Sequence, residues 1–356
     1  VWWYSLKKLV SVFLSLLVCL VNLMCPSATY AINACEKLDS IVKSYPEECS
    51  VIIYTEDDGT LYSYHAKNKL YSASIIKLTY AVYVCQQIES GVYSLDDTMI
   101  YTADWDGEGG SGIIQYQPYG TSYTVRELLD YSLRYSDNVA YFMLTYLFDR
   151  AGFNEMLSEW GSDSYISYDS AFTDINADFM KKSMLEMYTH RNDGECWEVC
   201  WDALMNSETS LVRNMLSNYD IAVKYGSMDG VYHEVCYVDS DTPYILVVLS
   251  AISETGENGR LIRNIALYAD DVVKEHFADR KNEINSMKLK NSVNEYAVFL
   301  NDGIGKMNNE QKKKADVNGD GVINNDDVNL ILSYYSYASS GGTLSQKEFF
   351  NSYQLI

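Results

Sequence analysis

Residues 71–98 read YSASIIKLTYAVYVCQQIESGVYSLDDT. From Ile75 to Ile88 the run is apolar on nearly every side, and Gly91 stops it. A helix without a polar stripe is stable only when covered all round, so this stretch predicts a helix through the middle of a domain. Lys77 lies inside the run, with Ser74 one turn before it on the same side. A lysine there must either pair or drop its pKa, and a neutral amine beside a serine hydroxyl is a general base. A serine at a helix start also has backbone amides around its oxygen. Spacing alone carries little, since Ser5 to Lys8 and Ser40 to Lys43 repeat it. Position in the buried helix distinguishes Ser74.

Outward from this helix, SVIIYT at 50–55 and TLYSYH at 60–65 alternate about Glu56-Asp57-Asp58-Gly59, which predicts a hairpin. Helical patterns follow at 124–135, 138–150, 174–190 and 196–206, with Thr124 and Thr173 placed as N-caps. Strands return at 220–226, 231–238 and 243–251, and an amphipathic helix runs from Gly259 to His276. Strands at both ends with helices between them predict an α+β domain whose sheet is closed by distant parts of the chain.

The chain has 356 residues, 47% hydrophobic and 21% charged, which is globular composition and excludes wholesale disorder. Its net charge of -22, carried mainly by the central segment, argues against nucleic acid as a partner, because phosphate contacts need basic side chains. Lys7 and Lys8 precede an apolar run from Leu9 to Met24, and Thr29-Tyr30-Ala31 offers small residues for cleavage after Ala31. Residues 1–31 therefore read as a signal peptide and the protein as secreted, with a retained anchor as the alternative. Six cysteines follow: Cys35, Cys49, Cys85, Cys196, Cys200 and Cys236. Export permits disulfides, whose pairing stays open. Cys196 and Cys200 stand near His190, but CxxxC without a second pair is not zinc-site spacing, so they read as buried or disulfide-bonded. No histidine among His65, His190, His233 and His276 has a nucleophile-elbow context, and His233 reads as packing.

Ser136-Asp137-Asn138 opens a second helix and Lys224-Tyr225-Gly226-Ser227 ends a strand. SxxK, SDN and KxG in this order, with the flanking GSGIIQ (110–115) and LLDYSLRYSDNVA (128–140), resemble the penicillin-recognising serine hydrolases, specifically class A β-lactamases, over roughly residues 50–277. The resemblance implies a sheet with a helical subdomain, Ser74 as nucleophile, Lys77 as base and Ser136 as proton shuttle toward the leaving nitrogen. It further implies Asn138 as a substrate-amide contact and Lys224 as the attraction for a substrate carboxylate. Tyr225, Gly226 and Ser227 would line the substrate, with the N–H groups of Ser74 and Ser227 as the oxyanion hole. Catalysis would need no cofactor. Two departures stand out. Tyr225 replaces the usual threonine, which takes away a small hydroxyl and adds bulk. Between Trp160 and Thr173 no ExxxN supplies the glutamate that drives deacylation in class A enzymes; Asp163 and Asp169 are the carboxylates of that interval, and both read as turn residues.

Residues 279–288 read as a linker to a second module. At 316–327 oxygen side chains occupy loop positions 1, 3, 5, 9 and 12 (Asp316, Asn318, Asp320, Asn324, Asp327), with Gly321 at the sixth, so the loop predicts Ca²⁺ with the Val322 carbonyl completing the set. Aspartate at position 12, followed at once by the helical DDVNLILSYYS, resembles a dockerin over residues 289–356. Dockerins carry two such repeats; the earlier one keeps its helix at 292–300 but no acidic loop. The resemblance implies a cohesin module of a scaffold protein as partner, Asn325 and Asp326 as partner-facing residues, and a place on a cellulosome. Residues 32–278 thus read as a catalytic domain forming a Ser74 acyl-enzyme with a β-lactam or D-alanyl peptide-like amide. The alternatives are a D-Ala-D-Ala peptidase or esterase on the same scaffold, or a catalytically impaired binding module.

Overall fold

The computed structural model describes residues 33–45, 49–168, 170–228, 230–252, 255, 259–278, 280 and 309–323, and scattered positions from 327 to 350. The proposed signal segment, the helix at 292–300, most of the proposed linker and residues Asn324, Asn325 and Asp326 lie outside them. Among the described residues no helix is long and apolar enough to cross a membrane. The chain divides into two compact units, Val1–Lys274 and Glu275–Ile356.

In chain order the first unit contains α1 (Ala34–Val42), β1 (Cys49–Thr55), β2 (Gly59–Tyr64), β3 (Leu70–Tyr71), a 3-10 turn at Ala73–Ile75 and α2 (Ile76–Glu89). Then come β4 (Thr98–Ile100), β5 (Ser122–Thr124), α3 (Val125–Arg134), α4 (Asn138–Leu147), α5 (Arg150–Glu159), β6 (Asp174–Ile175), α6 (Ala177–His190), α7 (Glu195–Met205) and α8 (Leu211–Met215). Strands β7 (Asp220–Met228), β8 (Val231–Asp239) and β9 (Tyr244–Ser250) precede α9, whose residues 259–274 belong to this unit. The principal sheet is antiparallel in the order β2-β1-β9-β8-β7, so the N-terminal hairpin pairs with the last strand across the whole domain. This is the mixed α/β architecture, with its sheet closed by distant segments, that the strand and helix patterns imply.

Strands β8 and β9 are buried on both faces, because helices cover each side. Residues Ile245, Val247 and Leu249 join the core shared with α2, α4 and α6. Within α2 every residue from Ile76 to Cys85 is buried, as its unstriped sequence requires. Gly91, at φ 76°, supplies the left-handed residue that ends the helix. Thr124 caps α3 in a reciprocal box with Glu127. Thr173 does not cap α6: Asn176 does, accepting from the Phe179 N–H at 2.9 Å. The carbonyl of Thr173 instead receives the Ser72 N–H at 3.0 Å, and Asp174-Ile175 pair with β3, so tertiary pairing takes the residues that local pattern gave to the helix.

In the second unit, α10 (Asn309–Ala315) leads into the 316–327 loop, with Gly319 and Gly321 at φ 73° and 82°. Ile331, Tyr334, Phe349 and Phe350 form a small apolar cluster.

Candidate active site

The Ser74 turn is set on the edge of the sheet by an unusual backbone. Ala73 adopts φ 43°, a left-handed conformation that costs a non-glycine residue on the order of 1 kcal/mol. Ser72 is fully buried, and its carbonyl accepts the Ile75 N–H at 3.2 Å, closing the 3-10 turn that presents Ser74. Strand β7 presses against this turn. A Cβ at Gly226 would lie 2.9 Å from the amide nitrogens of both Ser74 and Ile75, so only glycine lets β7 approach so closely.

Lys77 is buried at the start of α2 and points to the loop before α4. Its Nζ donates to the Ser136 carbonyl at 2.6 Å and to Asn138 Oδ1 at 2.7 Å, and lies 3.5 Å from Ser136 Oγ. Burial lowers this ammonium from its ordinary value to about 7, opposed only by the charge of Asp137. Ser136 sits at φ 53°, and Asp137 holds the loop in that shape. The fully buried carboxylate of Asp137 accepts from the Ile113 N–H at 2.6 Å, the Ile114 N–H at 2.8 Å and the Ala140 N–H at 2.9 Å. It both caps α4 and ties down the 109–116 segment. Asn138 spans the same gap, donating from Nδ2 to the Gly109 carbonyl at 2.8 Å.

Lys224 approaches from the sheet. Its Nζ donates to Ser136 Oγ at 3.0 Å and to the Tyr225 carbonyl at 2.7 Å. Burial, and then the neighbouring charge of Lys77, push it well below its ordinary value. The hydroxyl of Ser136 thus stands between two amines, Lys77 on α2 and Lys224 on β7. Tyr225 does more than add bulk: its phenol interacts with the hydroxyls of Thr209 and Ser136, and its ring lies 4.4 Å from Lys224 Nζ. The hydroxyl missing with threonine therefore returns on a longer side chain. Ser227 follows in β7, paired with Tyr232.

Residues that sequence did not single out complete the surroundings. Phe172, in the loop before α6, places its ring centroid 5.9 Å from Lys77 Nζ and packs against Tyr71, Tyr141 and Phe142. Glu234, opposite Tyr225 in the β7–β8 register, accepts from the Ser210 hydroxyl and the Leu211 N–H at 2.5 Å each, fixing the start of α8. Asp163 is exposed and paired with Lys69 on the surface, remote in role from Lys77; Asp169 lies outside the described residues. His233 is a packing residue. Its Nδ1 accepts from the Ser250 N–H at 3.0 Å, so Nε2 carries the proton and donates to the Tyr71 carbonyl at 2.8 Å. Burial lowers His233 to about 4, keeping it neutral. His190 stacks on Trp197 and bonds Asp193 at 2.7 Å rather than joining the cysteines.

The profile of the Beta-lactamase enzyme family (Beta-lactamase2) matches residues 33–273. No curated protein matches the sequence closely enough to bear on the question. Among solved structures, a β-lactamase from Sphaerobacter thermophilus is 18% identical with a TM-score of 0.59, covering 66% of this chain and 95% of its own. PBP-A is 18% identical with a TM-score of 0.60, covering 70% of this chain and 97% of its own. A mutant of PBP-A, 17% identical with a TM-score of 0.59 and covering 69% of this chain and 96% of its own, was solved as an acyl-enzyme complex with penicillin-G. At such identities the likeness concerns the fold. The family profile spans well over half of the residues, and with Ser74, Lys77, Ser136 and Lys224 gathered where α2, the loop before α4 and β7 meet, the chain belongs to the beta-lactamase enzyme family.

Proposed function

We propose that the first unit is a serine hydrolase that forms an acyl-enzyme at Ser74 with a β-lactam or a D-alanyl peptide-like amide. The observation that carries this reading is the bonding of Lys77. Its Nζ donates to the Ser136 carbonyl and to Asn138 Oδ1 and lies 3.5 Å from Ser136 Oγ, and with burial lowering it to about 7 the amine is available to take the proton of the Ser74 hydroxyl one turn before it. In acylation the Ser74 oxygen bonds to the substrate carbonyl carbon while its proton passes to Lys77. The carbon–nitrogen bond then breaks as Ser136 gives its proton to the leaving nitrogen and is reprotonated from the adjoining amines. Lys224 regains its charge when a substrate carboxylate enters. The amides of Ser74 and Ser227 would hold the oxyanion, and Asn138 and Tyr225 would border the substrate. Mass spectrometry after exposure to a fluorescent penicillin tests the reading: one adduct on Ser74, absent in Ser74→Ala, is expected. Equal labelling of the variant would refute it.

Phe172 favours a long-lived acyl-enzyme over rapid turnover. Release needs a base to activate water, and among the described residues of this loop the side chain that reaches Lys77 is a phenyl ring. The D-alanyl peptidase type of chemistry therefore stands beside the β-lactamase type.

For the second unit we infer a dockerin that binds one Ca²⁺, docks onto a cohesin module and so attaches a secreted enzyme to a cellulosome scaffold. The loop chemistry supports the ion: Asp316 Oδ1 is buried without a hydrogen-bond partner, beside the fully buried Asp327. Asp316, Asn318, Asp320, Asn324, Asp327 and the Val322 carbonyl would hold it. Bound calcium would neutralise the carboxylates converging there.

A further inference from the structure

The cysteines Cys85, Cys196 and Cys200 come together away from the proposed active site. Cys85 lies on α2, the helix that Ser74 and Lys77 begin; Cys196 and Cys200 lie one turn apart on α7. Their sulfurs all fall within 4.8 Å of one another, and all three side chains are buried. Cys85 Sγ is 2.7 Å from Cys196 Sγ and 3.7 Å from Cys200 Sγ.

Two chemistries suit three clustered thiols, a soft metal ion or a disulfide. Sulfurs each bonded at about 2.3 Å to one tetrahedral zinc ion stand about 3.8 Å apart, which the Cys85–Cys196 separation undercuts by more than an ångström. Two unbonded sulfurs do not pack so closely either. Among the described residues no fourth ligand completes the group, and the nearby Glu89 already accepts from Trp197 Nε1 at 2.6 Å. Access favours the covalent reading as well. Cys196, in the first turn of α7, borders an open cleft of about 270 Å³ lined also by Ile88, Glu89, Arg126 and Trp197. Cys85 and Cys200 are fully enclosed. Hydrogen bonds from Cys200 and Cys85 favour the thiolate of Cys196, and burial keeps Cys85 protonated.

We propose that these residues form a thiol–disulfide site in which a Cys85–Cys196 disulfide ties the nucleophile helix α2 to α7, with Cys200 as the exchanging thiol. The reactant is a small disulfide, RSSR. The Cys196 thiolate attacks one of its sulfurs, breaking the S–S bond and expelling RS⁻, which takes up a proton. Cys85 gives up its proton, and its sulfur then attacks Cys196 Sγ, forming the protein disulfide and expelling the second RS⁻, which is protonated in turn. The protein loses two electrons and two protons, and RSSR becomes two RSH. Cys200 then lies where it can attack Cys85 Sγ, moving the bridge to Cys85–Cys200 and freeing Cys196. The bridge joins segments 111 residues apart, so it restricts the unfolded chain over a long loop.

The full chain, equilibrated over a range of oxidised to reduced glutathione, alkylated in denaturant and digested without reduction, tests this. Oxidation should remove two hydrogens from the intact mass and yield a Cys85–Cys196 cross-linked peptide, with Cys200 alkylated. Cys200→Ser should keep the cross-link; Cys196→Ser should abolish it and slow oxidation of the remaining pair, Cys85 and Cys200, at least tenfold. The wild-type oxidised form should also melt at a higher temperature than the reduced form. Alkylation of all three cysteines across the whole range, a stoichiometric metal whose removal frees three thiols, or identical melting midpoints would overturn the proposal.

Discussion

Gly226 holds β7 so close to the Ser74 turn that a methyl group on its Cα would meet the Ser74 and Ile75 amide nitrogens at 2.9 Å. Both contacts are with backbone, so the clash has no flexible side chain to absorb it. Gly226→Ala should push the strand from the nucleophile, lowering stability by about 1–3 kcal/mol. It should also slow acylation by at least tenfold. Thermal unfolding and labelling rates check both; wild-type labelling by the variant would show that the approach is dispensable.

The Lys77 amine supplies a pH limb. Acylation should rise with pH as Lys77 loses its proton and level off above about 7. Stability follows the same group. Between about 7 and 10.5 the unfolded chain binds a proton that the folded chain lacks, so this contribution is a penalty complete below 7 and relieved toward 10.5. Stopped-flow labelling across pH 5 to 9 is the measurement. Lys77→Ala should remove the limb and slow acylation about 10²- to 10⁴-fold.

Replacing the ring beside Lys77 by a carboxylate should restore water activation. Phe172→Glu is expected to shorten the acyl-enzyme lifetime by about 10²-fold or more, as a positioned general base does. It should also raise the Lys77 pKa and move the acylation limb upward. The decay of the Ser74–penicillin mass adduct reports the lifetime, and an unchanged decay would sink the explanation for slow release.

In the sequence of residues 289–356 one loop, 316–327, offers a complete oxygen set, so calorimetry should find one calcium ion. Asp316→Ala combined with Asp320→Ala should abolish that binding, and binding to a cohesin, while leaving Ser74 labelling unchanged. Two equivalent ions would contradict the single-site reading.

The sequence by itself determined the elements whose period is local. The unstriped run from Ile75 to Ile88 demanded a buried helix, which the structure buries from Ile76 to Cys85; the alternation about Gly59 demanded a hairpin, and the order of Ser74-x-x-Lys77, Ser136-Asp137-Asn138 and Lys224-x-Gly226 a family. Tertiary structure decided what those motifs touch. Lys77 finds Ser136 and Asn138 at separations of 59 and 61 residues, and the ring of Phe172 lies beside the amine while Asp163 pairs with Lys69 on the surface. Asn176 displaces Thr173 as the cap because the backbone of Thr173–Ile175 is drawn into pairing near Ser72 and β3. Cys85 closes on Cys196 across 111 residues, where spacing along the chain had shown only Cys196 and Cys200 together. Hydrophobic period and turn chemistry are set by neighbours a few residues apart, so they can be read in order. Contacts between segments far apart in the chain depend on how whole helices and strands pack, and that packing is a property of the entire core.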